Sequence, residues 1–201
     1  MSTAEKSAVK QDQKRILAVD VDGTLADVTT PWLELIKNEY GKEITKKDAV
    51  EYHLENIVGV PRENLLKLLK KTWDEPDKIQ LEDPDIPNIL LALKSKYEIH
   101  ILTATMGDDA TVRKWLDDHH IPYDKFVHVN RSAEKAGYNA DVFVDDNFEV
   151  AASVAAQNKL VLLISQPWNQ AEAANKTQQN IVVIKKWDET EKLLLMSLLR
   201  R

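Results

Sequence analysis

Two pairs of aspartates stand just past apolar runs in this chain. Asp20 and Asp22 follow Ile16-Leu17-Ala18-Val19, and Asp145 and Asp146 close the run Val142-Phe143-Val144. Carboxylates gathered in one cleft repel, by about 4 kcal/mol per pair at roughly 4 Å and an effective dielectric near 20. A divalent cation removes that repulsion. Oxygen-only donors on a tight turn suit magnesium, which typically takes one or two carboxylates, keeps several waters and bridges to substrate phosphate. Two other groups fit phosphate chemistry. Thr103, with Thr105, offers hydroxyls and backbone N–H groups at the end of Ile99-His100-Ile101-Leu102, and Lys135 offers an ammonium that could neutralise a phosphoryl group and a nearby carboxylate. Each has a plainer reading as well. Asp22-Gly23 is a common turn dipeptide, Asp145 and Asp146 could cap the following helix, Thr103 could simply end a strand, and Lys135 could be a solvated surface lysine.

The elements that must position these residues follow from hydrophobic pattern. The short run 16–19 is apolar throughout, as expected of a strand buried on both faces in the middle of a parallel sheet. From Pro87 onward helix and strand alternate: helix over 87–96, strand over 97–105, helix over 111–119, strand over 125–129, strand over 140–146, helix over 148–157, strands over 159–164 and 181–184, and a closing helix over 188–199. That alternation predicts a parallel α/β sheet, and in such sheets ligands bind outside the carboxyl ends of the strands. Between Asp27 and Asp83 the pattern is helical instead. A threonine cap and Pro31 stand ahead of a helix carrying Trp32, Leu35, Ile36 and Tyr40; a short helix is expected over 45–53; and 60–73 is amphipathic with Leu65, Leu66, Leu68, Leu69 and Trp73. We read 15–26 with 84–201 as an α/β core, 27–83 as a helical insertion lying over the acidic end of the first strand, and 1–14 as a loose polar tail.

Composition narrows the chemistry. The chain has 201 residues, 30% of them charged, and a formal net charge of −6, which argues against a nucleic-acid polymer as partner while leaving free nucleotides and other small phosphates open. It contains no cysteine, so disulfides, zinc–thiolate sites and thiol nucleophiles are excluded. No apolar run reaches the length of a membrane span and no signal-peptide core is present, so no membrane partner is expected and a cytoplasmic location is. Nothing in the sequence fixes an oligomeric state.

Taken in order, Asp20-Val21-Asp22-Gly23-Thr24-Leu25, Ile101-Leu102-Thr103-Ala104-Thr105, Lys135 and Val142-Phe143-Val144-Asp145-Asp146 resemble the four motifs of the haloacid dehalogenase (HAD) superfamily of phosphatases and phosphotransferases. The resemblance implies a Rossmann-like three-layer α/β fold with a parallel sheet and a small helical cap inserted after the first strand. It implies Asp20 as a nucleophile that forms an aspartyl-phosphate, Asp22 as general acid and then base, Thr103, Ala104 and Lys135 as holders of the phosphoryl oxygens, and Mg²⁺ held by Asp20, Asp22 through its backbone carbonyl, and one or both of Asp145 and Asp146. The spacing from Lys135 to the last motif and the later Ile164-Ser165-Gln166-Pro167-Trp168-Asn169 segment are similar to the 5'(3')-deoxyribonucleotidases. A small phosphate monoester is then the implied substrate, with a nucleoside 5'-monophosphate first and a sugar phosphate or phosphoglycolate as the alternative. A non-catalytic phosphate-binding protein is the reading from a different class. Trp32 and Trp73 could stack on a base, although at helical spacing beside leucines both also read as core of the insertion. Arg131 is the nearest arginine to Lys135, and Trp168 and Asn169 fall near the sheet edge that would hold the site.

Overall fold

The computed structural model describes residues 14–175 and 179–198. Almost all of the tail expected over 1–14 lies outside them, as does Leu199. In chain order the regular elements are β1 (Arg15–Val19), β2 (Ala26–Asp27), α1 (Thr29–Tyr40), α2 (Glu55–Val58), α3 (Arg62–Thr72), β3 (Gln80–Leu81), α4 (Ile86–Leu93), β4 (Tyr97–Thr103), α5 (Asp109–Asp118), β5 (Lys125–His128), β6 (Val142–Asp145), α6 (Phe148–Ala155), β7 (Leu160–Ile164), α7 (Gln170–Asn175), β8 (Ile181–Ile184) and α8 (Trp187–Leu198).

Six strands form one sheet of order β5-β4-β1-β6-β7-β8, all parallel. The chain runs outward from β1 through β4 to β5, then returns to the other side of β1 and runs outward again through β6, β7 and β8. The order therefore reverses between β1 and β6, which is where an open parallel sheet leaves a crevice at its carboxyl edge. Alternation along β1 builds both faces. Leu17 and Val19 pack with α4, α5 and α8 through Ile86, Leu90, Leu93, Trp115, Leu116 and Trp187, whereas Ala18 packs with α6 through Phe148, Ala151 and Val154. Helices on both faces explain why the strands read as unbroken apolar runs.

The helical segment leaves and returns through β2 and β3, an antiparallel pair with Ala26 opposite Leu81 and Asp27 opposite Gln80. Its own core gathers Leu33, Ile36, Leu54, Val58, Leu65 and Leu68. Two local expectations are corrected. The short helix expected over 45–53 is only a 3-10 turn, Lys46–Asp48, closed by reciprocal bonds between Thr45 and Asp48; beyond it the chain stays irregular until α2. The β-branched and aromatic residues Val50, Tyr52 and His53 have low helix propensity, and Gly59 stops α2 in the left-handed conformation. The first turn of α1 is secured by Asp27 rather than by a threonine cap, since the Asp27 carboxylate accepts both the backbone N–H and the hydroxyl of Thr30.

Candidate active site

Register assembles the site. Val19 is level with Ile101 of β4 and with Val144 of β6. The next residue up, Asp20, therefore stands beside Asp145, with Thr103 one step further along the neighbouring strand. Lys135 comes from the 3-10 turn Ser132–Gly137 that precedes β6. It is 3% exposed, so the reading of a solvated surface lysine falls away. Its ammonium lies 2.7 Å from Asp20 Oδ1 and 3.0 Å from Asp145 Oδ2.

Carboxylate oxygens of Asp20, Asp145 and Asp146, all three residues buried, lie within 4.8 Å of one another. Were all three ionised, the one ammonium would leave two negative charges uncompensated among buried groups. An all-oxygen donor set with that excess fits a hard divalent cation. Burial, opposed by the Lys135 charge and abetted by Asp145, pushes the Asp20 carboxyl up to about 7. Burial, with the charges of Asp145 and Asp20, also holds Asp146 well above the usual carboxylate range. For Lys135 burial works against the charged form, but the carboxylates of Asp145 and Asp20 together outweigh it and hold the ammonium above the ordinary lysine range.

The two oxygens of Asp145 are both engaged, Oδ2 by Lys135 and Oδ1 by the backbone N–H of Asn147 at 2.8 Å. Asp146 takes the indole N–H of Trp168 on Oδ2 at 2.7 Å and faces the cavity. Neither aspartate caps α6. Asn147 does so, its side-chain oxygen accepting the N–H groups of Glu149 and Val150. Trp168 and Asn169 thus take their place beside the site, with Asn169 Nδ2 donating to the carbonyls of Asp146 and Ile164. Gln166, which sequence reasoning missed, donates to the Gly23 carbonyl at 2.8 Å.

Asp22 lies half-buried on the turn after β1. Its Oδ1 is sealed from solvent without a hydrogen-bond partner, and so is Trp73 Nε1. Burial pushes the Asp22 carboxyl up to about 6, opposed by the nearby Thr105 hydroxyl and the Lys135 charge. Thr103 is fully buried and its hydroxyl accepts the Thr105 N–H at 3.0 Å. Gly23 is required twice over. Its φ is +74°, and an added Cβ would lie 2.6 Å from Asp146 Oδ2 and 3.1 Å from Trp168 Cζ2. Left-handed strain of about 1–2 kcal/mol and a displaced Asp146 should lower the melting temperature of Gly23→Ala by roughly 2–8 °C and abolish any stabilisation by added Mg²⁺. Thermal unfolding with and without the ion checks this, and an unchanged Mg²⁺ response would contradict it.

Over these groups lies a cavity of about 580 Å³. Its floor holds Asp20, Asp22, Thr103, Ala104, Lys135 and Asp146, and its roof comes from the helical segment through Trp32, Tyr52, His53, Arg62 and Leu65. Arg131 and Asn130 also line it. Arg131 is held at the rim by Glu134. Trp32 is half-buried, with its indole N–H on the Leu65 carbonyl at 2.9 Å. Trp73 is different. It leaves the end of α3 to join the main core, edge-on to Trp115 at 6.1 Å, and does not line the cavity, so of its two readings the structural one stands. Tyr52 was not foreseen. It lines the cavity and is about half exposed (48%), and burial, then the Asp146 charge, pushes its phenol above the ordinary tyrosine range.

Solved structures with this fold include a haloacid dehalogenase-like family hydrolase from Streptococcus pneumoniae, at a TM-score of 0.64 and 17% identity, covering 90% of this chain and 98% of that one. That likeness is one of fold; a phosphoric monoester hydrolase of the HAD type follows from the family to which the sequence belongs. Residues 14–199 match the model of the family described as 5' nucleotidase, deoxy (pyrimidine), cytosolic type C, and the chain belongs to that family. Among its relatives are a nucleotidase of Clostridium acetobutylicum, 27% identical over 177 residues that cover 86% of this chain and 90% of that protein, and the 5'(3')-deoxyribonucleotidase of Bacillus subtilis, 22% identical over 185 residues covering 90% and 99%. No helix among the described residues is long and apolar enough to cross a membrane.

Proposed function

We propose that this protein is a cytoplasmic, magnesium-dependent phosphomonoesterase that hydrolyses nucleoside 5'-monophosphates through an aspartyl-phosphate on Asp20, with 27–83 acting as the cap that selects the substrate. The observation that carries this is the Lys135 ammonium bridging Asp20 and Asp145 at 2.7 and 3.0 Å beside three clustered carboxylates, on the floor of a roofed cavity large enough for a nucleotide.

Asp20, Asp146 and the backbone carbonyl of Asp22 would hold the cation, because Asp145 already spends both oxygens on Lys135 and Asn147. When bound, magnesium supplies positive charge against the phosphoryl oxygens. The protein's own groups account for the rest. An Asp20 oxygen bonds to phosphorus as the bond from phosphorus to the leaving nucleoside oxygen breaks. Asp22, with its carboxyl raised to about 6, delivers its proton to that oxygen. The resulting carboxylate then takes a proton from water, whose oxygen attacks phosphorus and frees Asp20. Thr103, Ala104 and Lys135 hold and neutralise the phosphoryl oxygens, a task of position and charge. Of the two candidate tryptophans, Trp32 lines the roof and is the one offered to a base.

Phosphate release from a panel of 5'-nucleotides, deoxy and ribo, set beside sugar phosphates and phosphoglycolate tests the substrate class. Higher kcat/KM on nucleotides is expected. A sugar phosphate or phosphoglycolate as best substrate would reject the nucleotide reading, and phosphate binding with no turnover on any ester would reject catalysis. For Asp22→Asn, turnover should fall about 10²- to 10⁴-fold with substrate binding retained; unchanged kcat would remove the proton-transfer role.

A further inference from the structure

Trp168 belongs to two assemblies at once. It lies in the turn after β7, a core element, and its N–H holds Asp146 Oδ2 at 2.7 Å. Yet its ring packs in the apolar cluster of the helical segment with Leu33, Leu54 and Leu65, the one member of that cluster, among the described residues, contributed from outside that segment. The backbone beneath it is fixed to the core, since Asn169 grips the Asp146 and Ile164 carbonyls. What the helical segment touches is therefore the free face of a side chain whose edge orients a carboxylate. A second contact comes from Lys46, on the 3-10 turn of the segment. Its ammonium bonds Asp27 at 3.0 Å and Glu82 at 2.8 Å, one on each arm of the β2–β3 neck, and stands 5.9 Å from the centre of the Trp168 ring.

We propose that Trp168 is a positioning residue through which the seating of the helical segment sets the orientation of Asp146, and so the affinity of the site for its cation. This rests on the reading of Asp146 as a ligand. The geometry gives the indole two constraints that are met together only when the segment is docked: the ring needs its apolar neighbours, and the N–H needs Asp146. Anything that unseats the segment frees the ring to turn and leaves Asp146 without its donor. Linkage is reciprocal, so a cation that fixes Asp146 must also favour the docked segment.

Direct electrostatics and this coupling predict opposite signs for Lys46. Removing a positive charge that stands 5.9 Å from the ring whose N–H holds Asp146 would, by Coulomb's law alone, tighten cation binding. Removing the anchor of the segment weakens it. Mg²⁺ titration calorimetry without substrate, on the full chain, should show affinity falling about tenfold in Trp168→Phe, the usual scale for losing a partner of a ligand, and about threefold in Lys46→Met. Hydrogen exchange supplies a readout that needs no variant. In the wild type Mg²⁺ should slow exchange over 45–68, and in Trp168→Phe saturating Mg²⁺ should protect the loops at 20–23 and 145–147 but not 45–68. Unchanged or tighter Mg²⁺ binding in Lys46→Met, or wild-type exchange over 45–68 that ignores Mg²⁺, overturns the coupling. Asp146→Asn separates the two levels: Mg²⁺ binding as tight as wild type there means that the ligand assignment itself has failed, and the coupling with it.

Discussion

Asp20→Asn will release phosphate about 10⁵-fold more slowly than the wild type, the scale seen when a covalent nucleophile is removed from an otherwise intact site. The amide matches the carboxylate in shape and its oxygen can still accept from Lys135, so the loss is chemical. Folding should not suffer, because the carboxylate it replaces is one whose ionisation burial already opposes. Initial rates of phosphate release check the size of the effect. Acid-quenched wild type should carry a phosphoryl group on the peptide that contains Asp20, and the variant none. Equal rates in both proteins would remove Asp20 from the chemistry.

Lys135→Met is expected to have the largest effect on stability. The lysine is the ammonium between Asp20 and Asp145, and its removal strands buried carboxylates without a counter-charge, a change that typically costs about 3–5 kcal/mol. The deficit should depend on pH in a defined direction. A carboxyl whose folded pKa is raised contributes stability that is full below its unfolded value, near 3.8, and is lost as pH rises through its folded value, about 7 for Asp20 with Lys135 in place. Without the lysine that folded value moves higher still. Urea unfolding with a chelator present should therefore show the variant far below wild type at alkaline pH and the gap narrowing as pH falls from about 8 towards 5. A gap of constant size would show that Lys135 acts through packing alone. Turnover should be lost at every pH.

The elements at the centre of the sheet were legible because a strand covered on both faces leaves an unbroken apolar run, and the polar residue that ends the run is then conspicuous. Asp20, Thr103 and Asp145 were found that way, and register brings them together. Lys135 was a weaker signal, a single lysine in a loop that could equally have been solvated; its burial between Asp20 and Asp145 sets it apart. Other features had no pattern to betray them. The neck strands hold only two residues each, too few for any periodicity. Trp73 shares the helical spacing of Leu65 and Leu69 but stands past the last turn of α3, where the chain has already swung back to the core. Gln166 acts through a polar tip, and Tyr52 lines the cavity, only because distant folding brings them near, which no local pattern records.

The two-residue pairing of Ala26 with Leu81 and Asp27 with Gln80 has a consequence for how such enzymes diversify. More than fifty residues depart and come back through adjacent points, so insertion, deletion or wholesale replacement of that stretch need not shift the groups that handle phosphorus. A newly grafted lid would inherit an intact chemical engine and would owe it one obligation: an apolar surface against which the ring of Trp168 can rest.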